Sequence, residues 1–242
     1  MPDVQIRTPY ATGKAADTVA AHKADQDLVF YAGWFCPYVQ RAWIALEEKG
    51  VPYKYVEINP YDKAPELLAL NPRGLVPTVR AHGKPIYESL ILNELFEDLY
   101  PDAPKLLPTD PVEKARARIW IDALSKIPTA DYALVVARTP EEQEKRRQEY
   151  YDALRKIAEE RAPQGPFFLG EKFSLVDATI APWVVRDAVL QQHRGWDRKG
   201  AGEKWAAWAD AIAARPSVLN TSSTKEEYNK LYSSFLNPPA TA

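Results

Sequence analysis

The alternation of apolar and polar positions along the chain predicts its elements before any chemistry is considered. Leu28-Val29-Phe30-Tyr31-Ala32 is a short unbroken apolar run ending at Gly33, with the length and composition of a buried strand. Val39, Ala42, Trp43 and Leu46 then recur at helical spacing, and the stretch stops at Lys49-Gly50, a basic last turn followed by a helix-ending glycine. Tyr53-Lys54-Tyr55-Val56-Glu57-Ile58 is rich in strand formers and closes at Asn59-Pro60, which predicts a second strand. A helical stretch over 64–70 leads to the turn Asn71-Pro72-Arg73-Gly74, a strand over 76–80, a tight turn at His82-Gly83 and a partner strand at Pro85-Ile86-Tyr87. Leu92, Leu95, Phe96 and Leu99 put an apolar stripe on a helix over 88–100. A β-α-β unit, a linking helix, a β-hairpin and a last helix follow one another in the order of a thioredoxin-like α/β domain.

Pro101, Pro104, Pro108 and Pro111 interrupt the next segment, and each removes a backbone donor that a continuing element needs. A domain boundary is therefore expected there. Beyond it the spacing is helical: Trp120, Ala123, Leu124 and Ile127; Ala181, Val184, Val185 and Ala188; Trp205, Trp208, Ala209 and Ile212. No strand pair is evident after residue 110, so the second domain is predicted to be an all-α bundle. Ser174-Leu175-Val176-Asp177 has an acid three residues after a capping hydroxyl and is expected to start one of its helices, a structural role. Residues 1–26 carry Pro2, Pro9 and Gly13 without periodicity and are expected to form an irregular extension. The division expected is 1–26, a thioredoxin-like domain over 27–103, and an all-helical domain over 104–242.

Composition narrows the function classes. The 242 residues are 46% hydrophobic, enough to bury a sizeable core without disulfides. With 31 basic and 33 acidic side chains the net charge is −2, so no field of one sign draws a nucleic acid or an anionic membrane surface. No apolar run approaches the roughly 20 residues of a membrane span, and the first 25 residues lack the apolar core of a secretory signal; a cytoplasmic protein is expected. His22, His82 and His193 are scattered and only one cysteine is present, so no metal site is expected.

That one cysteine carries the chemistry. In Phe35-Cys36-Pro37-Tyr38 it lies where the first strand meets the first turn of the first helix, and proline is well suited to the first helical position. Backbone N–H groups and the positive end of the helix dipole favour an anion at that place, here a thiolate. A cysteine thiol with a pKa of ~8.5 is largely protonated at neutral pH, and such positions lower it. Position 39 is Val, so the helix turn holds no resolving sulfur and a mixed disulfide must be released by an external thiol. Glutathione is the obvious candidate.

Cys36-Pro37-Tyr38-Val39-Gln40-Arg41 resembles the Cys-Pro-aromatic-x-x-Arg active site of omega-class glutathione transferases. Asn71-Pro72-Arg73-Gly74-Leu75-Val76-Pro77 resembles the family's Asn-Pro-x-Gly-x-Val-Pro segment, Ile86-Tyr87-Glu88-Ser89 its Ile-x-Glu-Ser, and Pro182-Trp183 with Arg186 the omega Pro-Trp-x-x-Arg pattern. The resemblance implies a glutathione transferase fold, glutathione as co-substrate, and binding of glutathione by Phe35, Lys63, Val76, Pro77, Glu88 and Ser89. A cis Val76-Pro77 bond would aim the Val76 amide and carbonyl at a ligand backbone. Glu88 and Ser89, opening a helix, would hold the γ-glutamyl end, and Lys63 would pair with a glutathione carboxylate. A co-substrate pocket for hydrophobic or aromatic small molecules is expected between the domains, with Phe35 and Tyr38 on one side and Trp120 and Arg186 on the other. A homodimer is implied by the resemblance alone.

Transferases that conjugate glutathione to electrophiles typically hold its thiolate with a Tyr or Ser hydroxyl, whereas a nucleophilic cysteine forms a mixed disulfide. The expected reactions are thiol transfer and glutathione-dependent reduction: deglutathionylation, dehydroascorbate reduction, or removal of glutathione from aromatic ketone adducts. The alternatives are a non-catalytic carrier of glutathione or aromatic ligands, and a conjugating transferase. Tyr31, inside a strand, is expected in the core, while Tyr10 remains a possible hydroxyl.

Overall fold

The computed structural model describes residues 10–59 and 65–236. Within these the chain divides into two compact units, residues 10–106 with 216–224, and residues 107–215 with 225–236.

The first unit contains helix α1 (Gly13–Ala21), strand β1 (Val29–Ala32), helix α2 (Pro37–Lys49), strand β2 (Lys54–Glu57), helix α3 (Pro65–Leu70), strands β3 (Thr78–Ala81) and β4 (Lys84–Tyr87), and helix α4 (Ser89–Leu99). The sheet order is β2-β1-β3-β4, with β1 parallel to β2 and antiparallel to β3, and β3 antiparallel to β4. Phe30 stands opposite both Tyr55 and Val79 in the register, and all three are buried. The parallel pair needs a crossover, which α2 supplies, while β3 and β4 need only a tight turn. His82 at φ 48 and Gly83 at φ 75 make that turn in the left-handed region that two-residue hairpins use.

The four α2 positions picked out by spacing, Val39, Ala42, Trp43 and Leu46, are fully buried, and the helix stops where Gly50 takes φ 59. Lys49, read from sequence as a basic last turn, is itself buried: its Nζ lies 2.8 Å from Glu97 of α4 and donates to the Pro104 carbonyl at 3.2 Å. Tyr31 is buried, as its strand position predicts.

The second unit is helical: α5 (Pro111–Ser125), α6 (Ile127–Val136), α7 (Pro140–Ala158), α8 (Leu175–His193), a short 3₁₀ turn at Arg198–Ala201, α9 (Glu203–Ala213) and α11 (Lys225–Leu236). Between the last two, α10 (Pro216–Asn220) belongs to the first unit. Asp110 caps α5 by accepting the Val112 and Glu113 N–H groups, with Pro111 at the first helical position. The stripe that ran from Trp120 to Ile127 is divided, because Ile127 opens α6. In α8 the stripe also misplaces the buried face. Val185 and Ala188 are half-buried, whereas Asp177, Trp183, Arg186 and Asp187 are buried, as in a helix surrounded on all sides. The Ser174 and Asp177 capping box is present. Asp177 accepts from Ser174 N at 2.9 Å, Ser174 Oγ at 2.7 Å, Phe168 N at 2.8 Å and Trp208 Nε1 at 2.7 Å.

The expectation of an irregular start is corrected by α1. Its sequence GKAADTVAA is alanine-rich and helix-prone, but what fastens it lies two hundred residues away. Ala15 N donates to Ser222 O at 3.2 Å and Thr18 Oγ1 to Asn220 O at 2.8 Å.

Candidate functional site

Cys36 is the N-cap of α2, with extended φ −82 and ψ 120, and Pro37 occupies the first turn. The turn that delivers it begins at Gly33, whose carbonyl accepts the Cys36 N–H at 3.0 Å. A Cβ at Gly33 would sit 2.8 Å from the Phe35 ring and 2.9 Å from the Ile58 carbonyl, so only glycine lets this turn close. The half-buried Cys36 thiol donates to the Val76 carbonyl at 3.8 Å.

Three influences act on this sulfur. The contact to Val76 is made by the protonated thiol and would be lost on ionisation. Against it stand the leading end of α2 and a cation that the spacing argument gave no role, Arg41. Arg41 is 2% exposed, and its guanidinium lies 5.2 Å over the Tyr38 ring. Burial lowers its pKa to about 10, and the charges of Tyr38 and Cys36 act in the opposite direction. A buried cation coupled to the cysteine favours the thiolate.

Val76 and Pro77 are carried on a loop built by Asn71. This buried side chain donates to Leu75 O at 3.0 Å and Thr78 Oγ1 at 3.2 Å, and its Oδ1 accepts the Arg73 N–H at 3.1 Å. The Val76–Pro77 bond is cis. Glu88 occupies the N-cap position of α4 at φ 75, without a side-chain cap hydrogen bond, in a region that non-glycine residues seldom enter and that recurs at functional sites. Its carboxylate pairs with Arg73, both side chains being exposed. Ser89, next in the chain, is 7% exposed and opens α4. Phe35 is buried edge-on to Trp34, with ring centroids 6.1 Å apart, and Tyr38 is 44% exposed. Tyr10 is exposed. Lys63 lies outside the described residues.

The first unit thus carries Cys36, Phe35, Tyr38, Val76, Pro77, Glu88 and Ser89, and the second carries Trp120 and Arg186. Trp120 is half-buried beside Phe168, with ring centroids 5.4 Å apart. Arg186 is 3% exposed; its Nη1 donates to the Pro182 carbonyl at 2.8 Å and its guanidinium lies 4.5 Å over the Tyr228 ring. Both of these partners lie within its own unit.

Sequence reasoning gave no role to Gln40 or Glu57. Gln40, fully buried on α2, donates from Nε2 to Thr221 O at 3.2 Å, Thr221 Oγ1 at 3.3 Å and Ser222 Oγ at 3.0 Å. The signal available was a polar residue amid the apolar face of a strongly patterned helix. Glu57, at the end of β2, accepts the Trp34 N–H at 3.0 Å. Among the described residues no group of three His, Cys, Asp or Glu side chains is placed to hold a metal ion, and no helix is long and apolar enough to cross a membrane.

Comparison with known proteins bears on this arrangement. Residues 35–99 match the family described as glutathione S-transferase, N-terminal domain, and residues 130–211 the one described as glutathione S-transferase, C-terminal domain. A tobacco protein named probable glutathione S-transferase parC is 32% identical over 200 residues, covering 82% of this chain and 90% of its own. Rat glutathione S-transferase omega-1 is 30% identical over 204 residues, covering 84% of each. The crystal structure of glutathione transferase Omega 3C from Trametes versicolor superposes with a TM-score of 0.89 at 52% identity, covering 94% of this chain and 97% of that one.

Proposed function

Since the chain belongs to the glutathione S-transferase family, we propose that it is a glutathione-dependent thiol transferase in which Cys36 is the nucleophile. The observation that carries this reading is a cysteine at the N-cap of α2, with the buried Arg41 coupled to it. A hydroxyl at such a position holds glutathione's own thiolate for conjugation, whereas a sulfur attacks.

The Cys36 thiolate attacks the glutathionyl sulfur of a mixed disulfide, forming a Cys36–glutathione disulfide and expelling the substrate's thiolate. A second glutathione, as its thiolate, attacks the glutathionyl sulfur, forming oxidised glutathione and returning the Cys36 thiolate. One free glutathione is consumed: its sulfur is oxidised as it joins the glutathionyl group taken from the substrate, the substrate sulfur is reduced to a thiol, and the expelled thiolate takes the proton of the incoming thiol. The Val76 main chain is proposed to bind the cysteinyl unit of glutathione, with Phe35 and Pro77 beside it. Glu88 and Ser89 take the γ-glutamyl end, and Lys63 pairs with a carboxylate. Glutathionylated thiols, dehydroascorbate and glutathionyl aromatic ketones are the proposed substrates, and a cytoplasmic homodimer the proposed form.

Incubation with oxidised glutathione followed by intact mass measurement is expected to give one glutathionyl adduct that is absent from Cys36→Ser. No adduct on the unsubstituted protein would sink the reading and leave a carrier. A conjugating transferase is the second reading, favoured by a likeness to the tau-class glutathione S-transferase of mango, 26% identical with a TM-score of 0.77. Turnover of a chloro-nitroaromatic that survives Cys36→Ser would establish it.

A further inference from the structure

Glu57 has no part in that scheme, yet it grips the turn that presents the nucleophile. Its Oε1 accepts the Trp34 main-chain N–H at 3.0 Å, and the Ala11 main-chain N–H also acts on the carboxylate, lowering its pKa. Oε2 is buried and meets no hydrogen-bond donor among the described residues. Trp34 lies inside the turn from Gly33 to Cys36, which the Gly33 carbonyl closes and whose packing leaves no room for a Cβ. On its other side Glu57 reaches the segment leading into α1. Ala11 is followed by Thr12, whose N–H donates to Ser223 Oγ at 3.1 Å and whose Oγ1 accepts the Thr224 N–H at 3.3 Å. One carboxylate therefore joins the cysteine turn to a segment anchored on residues 223–224.

A neutral acceptor would suffice to link two amides. A buried carboxylate with one oxygen unsatisfied is a costly way to do so, and it makes the link depend on ionisation. When ionised, both amides donate to an anion, and such bonds are about twice as strong as those to a neutral acceptor. We infer that Glu57 is a positioning residue for the Cys36 turn, holding it firmly as the carboxylate and loosely as the acid. The inference rests on the reading of Cys36 as the reacting sulfur. From the β1–α2 turn Glu57 faces the Trp34 amide and from the segment before α1 the Ala11 amide, and among the described residues no charged side chain shifts it. Burial raises its pKa to about 7, against the lowering effect of these two amides, so the change of state falls near neutral pH.

The test follows the Trp34 and Ala11 amide signals by NMR from about pH 5 to pH 8, beside the rate of Cys36 alkylation by iodoacetamide. In the unsubstituted protein both amides are expected to titrate together near neutrality, and in Glu57→Gln neither does. Above pH 7 alkylation of Glu57→Gln is expected to be roughly three- to tenfold slower, with the difference vanishing at about pH 5. A merely structural role would lower the melting temperature without moving these profiles. Amides that stay flat in the unsubstituted protein overturn the inference even if Glu57→Gln does not fold. So does a Glu57→Gln alkylation rate that equals or exceeds the unsubstituted one at every pH. Neither readout uses glutathione, so a missing glutathionyl adduct would defeat the proposed function and leave these titrations interpretable.

Discussion

Replacing Glu57 by Gln should change how the stability of the fold depends on pH. The carboxyl has a reference pKa of 4.5, and burial raises it to about 7 in the folded chain. The folded state thus holds this proton more tightly than the unfolded state, so stability is lost as pH rises between these values. Integrating the linkage for 4.5 and about 7 gives a loss of about 2–3 kcal/mol between about pH 5 and pH 8 from this one group. Glutamine does not titrate and removes that loss. Its own amide, placed where Oε2 meets no partner, adds a penalty that is the same at both pH values and cancels in the difference. Asp131, which burial also raises to about 7, is shared by both proteins and cancels too. The assay is urea unfolding of both proteins at the two pH values. The stability of Glu57→Gln relative to the unsubstituted protein should improve by about 2–3 kcal/mol on going from about pH 5 to pH 8. No improvement, or one of the opposite sign, would refute the claim that an ionising carboxylate is buried here.

Asp177→Ala should destabilise the fold by about 3–5 kcal/mol in denaturant unfolding, because it removes the cap and strands the buried Phe168 amide and Trp208 indole N–H; a loss near ~1 kcal/mol would mean that the cap acts alone. Arg41→Met, which withdraws the buried cation coupled to Cys36, should move the midpoint of the alkylation profile upward by about one pH unit, and an unmoved midpoint would leave the helix end as the sole influence favouring the thiolate. Lys49→Met should cost about 3–5 kcal/mol by leaving the buried Glu97 carboxylate without its cation, and adding Glu97→Leu should recover only part of that, because the buried Leu106 N–H then loses its acceptor.

What the sequence revealed depended on how local the cause was. Strand β1 and helix α2 were legible because a Val-Phe-Tyr run is buried along its whole length and the apolar positions of α2 recur at helical spacing, and Gly50 stops the helix through its own φ. The cysteine and its helix end were legible for the same reason, since Cys36-Pro37 is a contiguous cap signal. Helix α1 was missed because its partners Asn220 and Ser222 lie far along the chain. The α8 face was misread because a helix buried on all sides has no stripe to find, and its polar Asp177, Arg186 and Asp187 are buried among partners that spacing does not show. In the sequence Glu57 is one residue of a run rich in strand formers; only the approach of the Trp34 amide gives it a task.

The placement of residues 216–224 has a consequence for biosynthesis. The helix that carries Cys36 takes its Gln40 hydrogen-bond acceptors from Thr221 and Ser222, and α1 hangs on the same stretch. A chain emerging from the ribosome can form its sheet early but must wait, with those donors in water, until residues beyond 215 have been made. Its amino-terminal half is therefore completed late, and the usual order of domain maturation during synthesis does not apply to it.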